Sequence, residues 1–106
     1  MENKENQRLF GMLGFAMRAG KVVIGTENII RLMPKREALK LILISADASS
    51  ATKKKLKTKS EYYNISAIEV DIDTERLGKI LGKVYAPAAV AITDEGFASE
   101  IKKASV

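Results

Sequence analysis

The sequence predicts an α/β protein in which one sheet lies between two layers of helices. Apolar residues alternate between helical spacing and short continuous runs, in the order helix followed by four strand–helix units. The run at 39–44, LKLILI, is almost wholly apolar, which is typical of a strand covered on both faces. Strands that alternate with helices favour a parallel or mixed sheet. We therefore expect a three-layer α/β/α sandwich with the element order αβαβαβαβα.

Each predicted element has a local cause. Helices are assigned where apolar residues recur every three or four positions, and strands where apolar or β-branched residues run together. Small polar residues mark helix starts, and glycine, asparagine or proline marks helix ends. The inward helix positions are Leu9, Phe10, Leu13, Ala16 and Met17; Ile29, Ile30 and Met33; Thr52, Leu56 and Tyr63; Leu77, Ile80 and Leu81; and Phe97, Ile101 and Ala104. The strands are 22–24, 39–44, 65–70 and 88–92. The candidate starts are Gly25 and Thr26, residues 47–50, Asp73 or Thr74, and Thr93 or Asp94, and the candidate ends are Gly20, Pro34, Asn64 and Gly82.

Length and composition exclude several classes of function. The 106 residues fit one domain, which we expect to span 1–106, and Cys, His and Trp are all absent. A disulfide framework, a Cys/His zinc site and a Cys or His nucleophile are therefore excluded. The polar start carries no signal sequence, and no apolar run approaches the ~20 residues of a membrane span. We expect a cytoplasmic protein without a membrane partner.

Nothing in the sequence favours an enzyme. The phosphate-binding pattern G-x-x-x-x-G-K-[ST], the dinucleotide pattern G-x-G-x-x-G and the hydrolase pattern G-x-S-x-G are all absent. Asp71, Asp73 and Glu75 could bind a metal, but acidic residues at a helix start that complement the helix dipole are the more common case. We expect no catalytic residue, metal or cofactor.

Charge is distributed unevenly along the chain. Residues 1–60 hold 13 basic and 5 acidic side chains, whereas residues 61–106 hold 5 basic and 8 acidic ones. A basic first half is what a polyphosphate partner requires, although a solvated surface is an equally open interpretation. Five lysines in residues 53–59 form the densest charge, but they surround most of a helix. We expect them to raise the local potential rather than to recognise a particular ligand.

The turn from the first strand into the second helix carries the strongest signal for a ligand. Gly25 permits close approach of a phosphate backbone, and the first N–H groups of the helix attract anions. Glu27 only accepts hydrogen bonds, whereas Asn28 both donates and accepts, so together they can address base edges. Arg31, one turn later, and Lys21, before the strand, supply positive charge.

A purely structural interpretation of this turn stays open. Thr26 would cap the helix, Glu27 would complement its dipole, and Arg31 would pair with Glu27 one turn away. Capping accounts for every residue except the glycine spacing.

The chain resembles the kink-turn-binding ribosomal proteins of the L-seven-Ae and L-thirty-e type, and more closely their short bacterial paralogues. The likeness covers nearly the whole chain and is carried by residues 20–21, 25–31, 40–49, 77–82 and 89–97. That family is a three-layer α/β/α sandwich with a four-stranded mixed sheet, and it binds RNA without catalysis. The resemblance therefore implies the same sheet and a structured RNA as partner, which we expect to be ribosomal RNA, along with ribosome or ribonucleoprotein components.

The family signature at the start of the second helix is G-x-N-E-x-x-K, which reads tandem sheared G·A pairs in a kinked RNA helix. Carried over by position, Gly25 matches the glycine and Arg31 falls on the lysine. Glu27 falls on the asparagine and Asn28 on the glutamate, so the order of these two residues is reversed. Arginine for lysine keeps the charge but changes the donor geometry. Backbone groups of Gly25 and Thr26 are expected to hold phosphate.

The family's second contact is a loop before the last strand, whose apolar residues pack on an extruded nucleotide. In the matching segment Val84 and Tyr85 can cover or stack on an unpaired base, and Pro87 stiffens the loop. Lys83 stands where the family has an aliphatic residue, so base packing is expected to shift to Val84 or Tyr85. The alternative is a surface loop with Tyr85 tucked on the core. The predicted contacts of this loop are Lys83, Val84, Tyr85, Ala86 and Pro87.

Three functions remain open at this point. The first is a non-enzymatic, ribosomal-protein-like binder of kink-turn or similar noncanonical RNA. The second is a protein-interaction or regulatory adaptor on the same fold, which the reversed order of Glu27 and Asn28 favours. The third is the accessory domain of an RNA methyltransferase, which would need its catalytic domain on a separate chain.

Overall fold

A computed structural model describes residues 4–105 of the chain. It contains the nine predicted elements in the predicted order: α1 (Lys4–Arg18), β1 (Val22–Ile24), α2 (Thr26–Leu32), β2 (Leu41–Ile44), α3 (Ser50–Tyr62), β3 (Ala67–Glu69), α4 (Thr74–Ile80), β4 (Ala89–Ile92) and α5 (Glu95–Ala104). The second strand begins two residues later than predicted, because Lys40 joins the sheet only through its N–H, which donates to the Ile92 carbonyl at 2.8 Å.

The four strands form one mixed sheet in the order β1-β4-β2-β3. β4 runs antiparallel to both of its neighbours, whereas β2 and β3 are parallel. β1, β2 and β3 therefore point in the same direction, and their carboxyl ends lie at one end of the sheet. This arrangement confirms the expected four-stranded mixed sheet and makes β1 and β3 its edges.

The helices cover both faces of the sheet, which confirms the three-layer sandwich. One core cluster joins α1, α4 and α5 to the sheet through side chains such as Leu13, Leu77 and Ile101. A second cluster joins α2 and α3 to the opposite face through Ile29 and Leu56. All four residues of β2 and all four of β4 are buried, as expected for central strands covered on both sides.

Most predicted helix boundaries are confirmed at the level of hydrogen bonds and backbone angles. Ser49, Asp73 and Asp94 cap α3, α4 and α5, each accepting a hydrogen bond from the N–H three residues later. Asn64 has a φ of 57°, which is the left-handed conformation expected where a helix stops. Asp73 thus serves a helix start, and the residues that the structure describes contain no group of three or more acidic side chains placed to hold a metal ion.

The predicted opening of α2 at Gly25 and Thr26 is confirmed, because Gly25 is its N-cap and Thr26 its first residue. Two other local interpretations are wrong. The structural interpretation of this turn makes Thr26 the cap, but the cap is Gly25 and makes no side-chain hydrogen bond. Tyr63 does not pack inward with Leu56, because α3 ends at Tyr62 and the chain turns before the next helical position on the buried face. Ser60 takes that inward place and donates its hydroxyl to the Leu56 carbonyl at 2.6 Å.

Candidate nucleic-acid interface

The strand-to-helix turn at Gly25 brings bare backbone to the protein surface. Gly25 has a φ of 98° and a ψ of 142°, a conformation that residues with a β-carbon rarely adopt. Its N–H donates to the Ala89 carbonyl at 3.0 Å, which fixes the turn to the start of β4. Since no side chain caps α2, the N–H groups of its first turn have no side-chain acceptor at the N-cap.

Asn28 is held by hydrogen bonds on both sides of its amide group. Its Nδ2 donates to the Ile24 carbonyl at 3.0 Å, and its Oδ1 accepts from Nη2 of Arg31 at 3.1 Å. An amide has two donors and two acceptor lone pairs, so one donor and one acceptor site remain for a ligand. Asn28 is exposed, and its orientation is set before any ligand arrives.

The structure does not contain the predicted pairing of Arg31 with Glu27. Arg31 turns to Asn28 instead, because residues three apart on a helix are neighbours as much as residues four apart. The Glu27 carboxylate lies 3.8 Å from Nζ of Lys55 on α3, and the Glu27 side chain is 88% exposed. Glu27 and Asn28 are thus adjacent in sequence but have different partners.

The loop before β4 presents its predicted contact residues to solvent, with one exception. Lys83, Val84, Tyr85 and Ala86 are exposed, and Val84 makes almost no contact with the rest of the chain. Tyr85 is 52% exposed, so it is not tucked on the core. Pro87 is buried, so a direct RNA contact by this residue does not fit the structure, and it supports the loop from beneath.

The loop rests on α4 at Gly78. A β-carbon built on Gly78 would lie 2.6 Å from the Tyr85 carbonyl oxygen and 3.4 Å from Cδ of Pro87. The Lys83 N–H donates to the Gly78 carbonyl at 2.8 Å. Only glycine therefore allows the loop to approach the helix this closely. No sequence motif gives Gly78 a role, although a glycine inside a helix is commonly there for packing.

α4 is in turn fixed to the sheet by Asp47, which follows β2. The two Asp47 carboxylate oxygens accept from the N–H and the hydroxyl of Thr74, at 2.8 and 3.1 Å. Partial desolvation works to raise the pKa of Asp47, but these hydrogen bonds outweigh it and hold the pKa below its ordinary value. The position of the loop thus depends on a chain of contacts that runs from β2 through Thr74 to Gly78.

The two predicted segments meet in one groove along the edge strand β1. We call this cavity of about 360 Å³ the β1 groove. Its lining residues are Met17, Gly20, Val22, Ile24, Asn28, Lys83 and Tyr85. Asn28 comes from the helix segment, and Lys83 and Tyr85 come from the loop. Met17, Val22 and Ile24 contribute an apolar floor that sequence reasoning did not assign to the site, because their spacing marks them only as core positions.

Two of the predicted cations lie outside the β1 groove. Lys21 precedes β1, about 13 Å along the strand from Gly25 at ~3.3 Å per residue, and its side chain is exposed. Arg31 reaches the site only through its hydrogen bond to Asn28, with the rest of its guanidinium free to meet a ligand.

The lysine run on α3 is partly neutralised by neighbouring carboxylates. Lys53 and Lys57 both contact Glu69 on the adjacent strand β3, Lys53 at 3.1 Å. Hydrogen bonds from Lys57 and Lys53 lower the pKa of Glu69 below its usual range. With Lys55 beside Glu27, this run serves to pack α3 on the sheet as well as to raise the local potential.

Solved structures with the same fold support this architecture. A Bacillus halodurans protein described as having unknown function superposes with a TM-score of 0.83 and 28% identity, over 92% of this chain and 95% of that one. The Giardia lamblia 15.5kD RNA binding protein superposes with a TM-score of 0.77 over 99% of this chain and 88% of that one. At 12% identity, the second likeness bears on the fold alone.

Sequence comparison gives the family. An RNA-binding protein YlxQ of Enterococcus faecium is 36% identical over 97% of this chain and 96% of its own length. The YlxQ protein of Bacillus subtilis is 41% identical over 87% of this chain and 89% of its own length. The large ribosomal subunit protein eL30 of Methanocaldococcus jannaschii is 25% identical over 93% and 89%. These relatives are named as RNA-binding and ribosomal proteins, in agreement with the prediction that the chain is not an enzyme. Residues 7–102 match the family model itself, and the chain belongs to the Ribosomal protein L7Ae/L30e/S12e/Gadd45 family.

Proposed function

We propose that this protein binds structured RNA and recognises a kink-turn or a similar noncanonical element through the β1 groove. The observation that carries the proposal is the meeting of two segments that are about fifty residues apart in the chain. The α2 turn brings an oriented amide and bare backbone, and the loop brings a lysine and an exposed aromatic ring. These are the groups that unstacked bases and phosphates require.

Each group has a role in this proposal. The backbone of Gly25 and Thr26 lies against phosphate, since glycine leaves room for close approach. Asn28 uses its free donor and acceptor on purine edges, and the Glu27 carboxylate accepts from a guanine amino group. Arg31 holds Asn28 and offers its other N–H groups to the backbone.

The loop supplies the second contact. Val84 and Tyr85 cover an extruded base, because both are exposed in this loop and Tyr85 lines the groove beside its apolar floor. Lys83, between them and α4, meets a phosphate. Ala86 is exposed beside them, and buried Pro87 holds the loop in place.

The partner that we propose is ribosomal RNA in the cytoplasm, bound free or within a ribonucleoprotein. Two observations support it: the excess of basic residues in the first 60 residues, and relatives that are named as RNA-binding and as large-subunit ribosomal proteins. Within residues 4–105, no helix is long and apolar enough to cross a membrane.

The test is a salt titration of binding to two RNAs. One duplex contains a kink-turn, and in the other the tandem G·A pairs are replaced by Watson–Crick pairs. A preference of about tenfold or more that persists as salt rises is expected, because base contacts release fewer counterions than phosphate contacts do. Equal affinities that fall together with salt would contradict the proposal.

A protein-interaction adaptor is the second candidate, and one observation favours it. Glu27 stands where the family signature has an amide, and its carboxylate is exposed at the surface that RNA must approach. Equal affinity for the kink-turn and Watson–Crick duplexes at every salt concentration would favour the adaptor function.

A further inference from the structure

A second groove lies at the other end of the sheet from the Gly25 turn. Lys40 and Ser66 precede β2 and β3, whereas Gly25 follows the carboxyl end of β1, which points in the same direction. Two neighbouring cavities of about 520 and 420 Å³ share Lys40, Ser66 and Glu95. We call this surface the basic groove; its cations are Lys35, Arg36, Lys40, Lys102 and Lys103, and Tyr63 lies on its wall.

The charge of the basic groove favours an anion. Its five cations stand against two carboxylates within the described lining, Glu37 and Glu95. Nζ of Lys40 lies 2.9 Å from the Glu37 carboxylate, and Nζ of Lys103 lies 3.6 Å from the carboxylate of Glu100, which is outside the lining. These two pairs carry no net charge, so Lys35, Arg36 and Lys102 supply the excess of positive charge over Glu95. Lys35 and Arg36 are exposed, and neither forms an ion pair with another residue of the part that the structure describes. A concave surface with an excess of cations concentrates polyanions.

Aromatic rings beside these cations distinguish nucleic acid from other polyanions. Tyr63 is 37% exposed on the wall of the groove, and Tyr62 is 79% exposed. The two rings meet edge to face, with centroids 4.9 Å apart. The end of α3 thus places two tyrosines at the surface, because Tyr63 does not pack inward as the helical periodicity predicts. Sites for single-stranded nucleic acid combine cations along the path of the phosphate backbone with aromatic rings on which bases stack.

We propose that the basic groove binds a single-stranded RNA segment, with a base stacked on Tyr63 and phosphates held by Lys35 and Arg36. The proposal rests on the proposed function only in taking RNA as the partner, and it adds a contact remote from the β1 groove. The longest extent of the protein is only 36 Å, and the two grooves lie at opposite ends of one sheet. One RNA that carries a folded element and a single-stranded flank can therefore place the element in the β1 groove and the flank in the basic groove.

The test measures binding of a fluorescent oligouridine of about twelve nucleotides, which has no base pairs for the β1 groove to read. The double variant Lys35→Glu/Arg36→Glu is expected to lose tenfold or more in affinity. Tyr63→Ala is expected to lose fivefold or more, whereas Tyr63→Phe keeps the ring and most of the affinity. Thermal melting of each variant confirms that it is folded.

The control variant distinguishes binding at the basic groove from general electrostatic attraction to the protein. Arg8→Glu/Lys54→Glu makes the same change in net charge at exposed positions outside both grooves and is expected to lose less than threefold. Equal losses in the two double variants, or no effect of Tyr63→Ala in a folded protein, would overturn the proposal.

The same proteins also separate this proposal from the proposed function. Binding of oligouridine in the basic groove without any preference for the kink-turn duplex would support the second contact and contradict the kink-turn assignment. A kink-turn preference in a protein that does not bind oligouridine would overturn the second contact alone.

Discussion

Replacement of Gly78 by alanine tests whether α4 positions the loop that completes the β1 groove. The new β-carbon would lie 2.6 Å from the Tyr85 carbonyl oxygen, whereas ordinary van der Waals contact begins at 3.4 Å. The loop or the helix must therefore move by about 0.8 Å, the difference between these two distances. The obstacle is backbone, so no side-chain rotation can relieve it.

The magnitude follows from two opposing effects. Alanine in place of glycine within a helix stabilises by about 1 kcal/mol, and overpacking of a close contact costs about 1–3 kcal/mol. Gly11, exposed within α1, is the matched control, because a β-carbon there meets nothing within 4 Å. Gly11→Ala should therefore gain only the stabilisation of about 1 kcal/mol that alanine gives a helix. The two variants should therefore differ in unfolding free energy by about 1–3 kcal/mol, which corresponds to at least ~4 °C in melting temperature.

Thermal melting and RNA binding measure the two consequences. Gly78→Ala should melt below Gly11→Ala and should bind the kink-turn duplex more weakly, since Lys83 and Tyr85 move with the loop. Binding of oligouridine in the basic groove should be the same in both. If Gly78→Ala is as stable as Gly11→Ala and binds the kink-turn duplex with wild-type affinity, the close approach of the loop to α4 is not what holds the site.

Three further predictions follow from the same contacts. Asn28→Ala should weaken binding to the kink-turn duplex by about 1–3 kcal/mol, the scale of one good base contact, and leave the Watson–Crick duplex unaffected; equal losses on both would contradict base reading. Val84→Ser should change the free energy of unfolding by no more than about 0.5 kcal/mol, as is typical of surface changes, and should weaken binding only of RNAs with an extruded nucleotide. The pKa values of Asp47 and Glu69 lie below their ordinary values of 3.8 and 4.5, so the ionised carboxylates stabilise the folded state. This stabilisation is complete above about pH 5 and is lost as the pH falls through and below the ordinary values. Asp47→Asn should therefore flatten the acid limb of stability against pH in urea unfolding, and an unchanged limb would contradict the role of the Thr74 hydrogen bonds.

The fold could be predicted from the sequence because its signals are local and agree with one another. The apolar run of β2 requires cover on both faces, and the structure provides it with two helical layers. The left-handed turn at Asn64 and the caps at Ser49 and Asp94 follow from the chemistry of single residues. Sheet direction does not follow from such signals, and the mixed sheet came from the family resemblance.

The site could be predicted only in part, because its missing members are defined by contacts between distant segments. The need for glycine at position 78 follows only from the Tyr85 carbonyl, which lies where a β-carbon would be. Lys55 joins Glu27 across two helices, and no spacing within either helix indicates this. Tyr63 was placed inward by helical periodicity, which does not apply where α3 has already ended.

The reversed order of Glu27 and Asn28 is not a simple exchange of duties. The residue at position 28 donates to the Ile24 carbonyl at the end of β1, and an ionised glutamate there has no hydrogen to donate. Asparagine at this position therefore ties the start of α2 to the edge strand, and Arg31 completes the arrangement from the other side. The carboxylate, which only accepts hydrogen bonds, stands one residue earlier than in the family signature. This shift rotates it by ~100° around the helix, toward Lys55 on α3. In the proposed function, a guanine contact by Glu27 therefore approaches from the α3 side and competes with Lys55. Under that proposal the lysine run influences which RNA fits, even though it does not line the β1 groove.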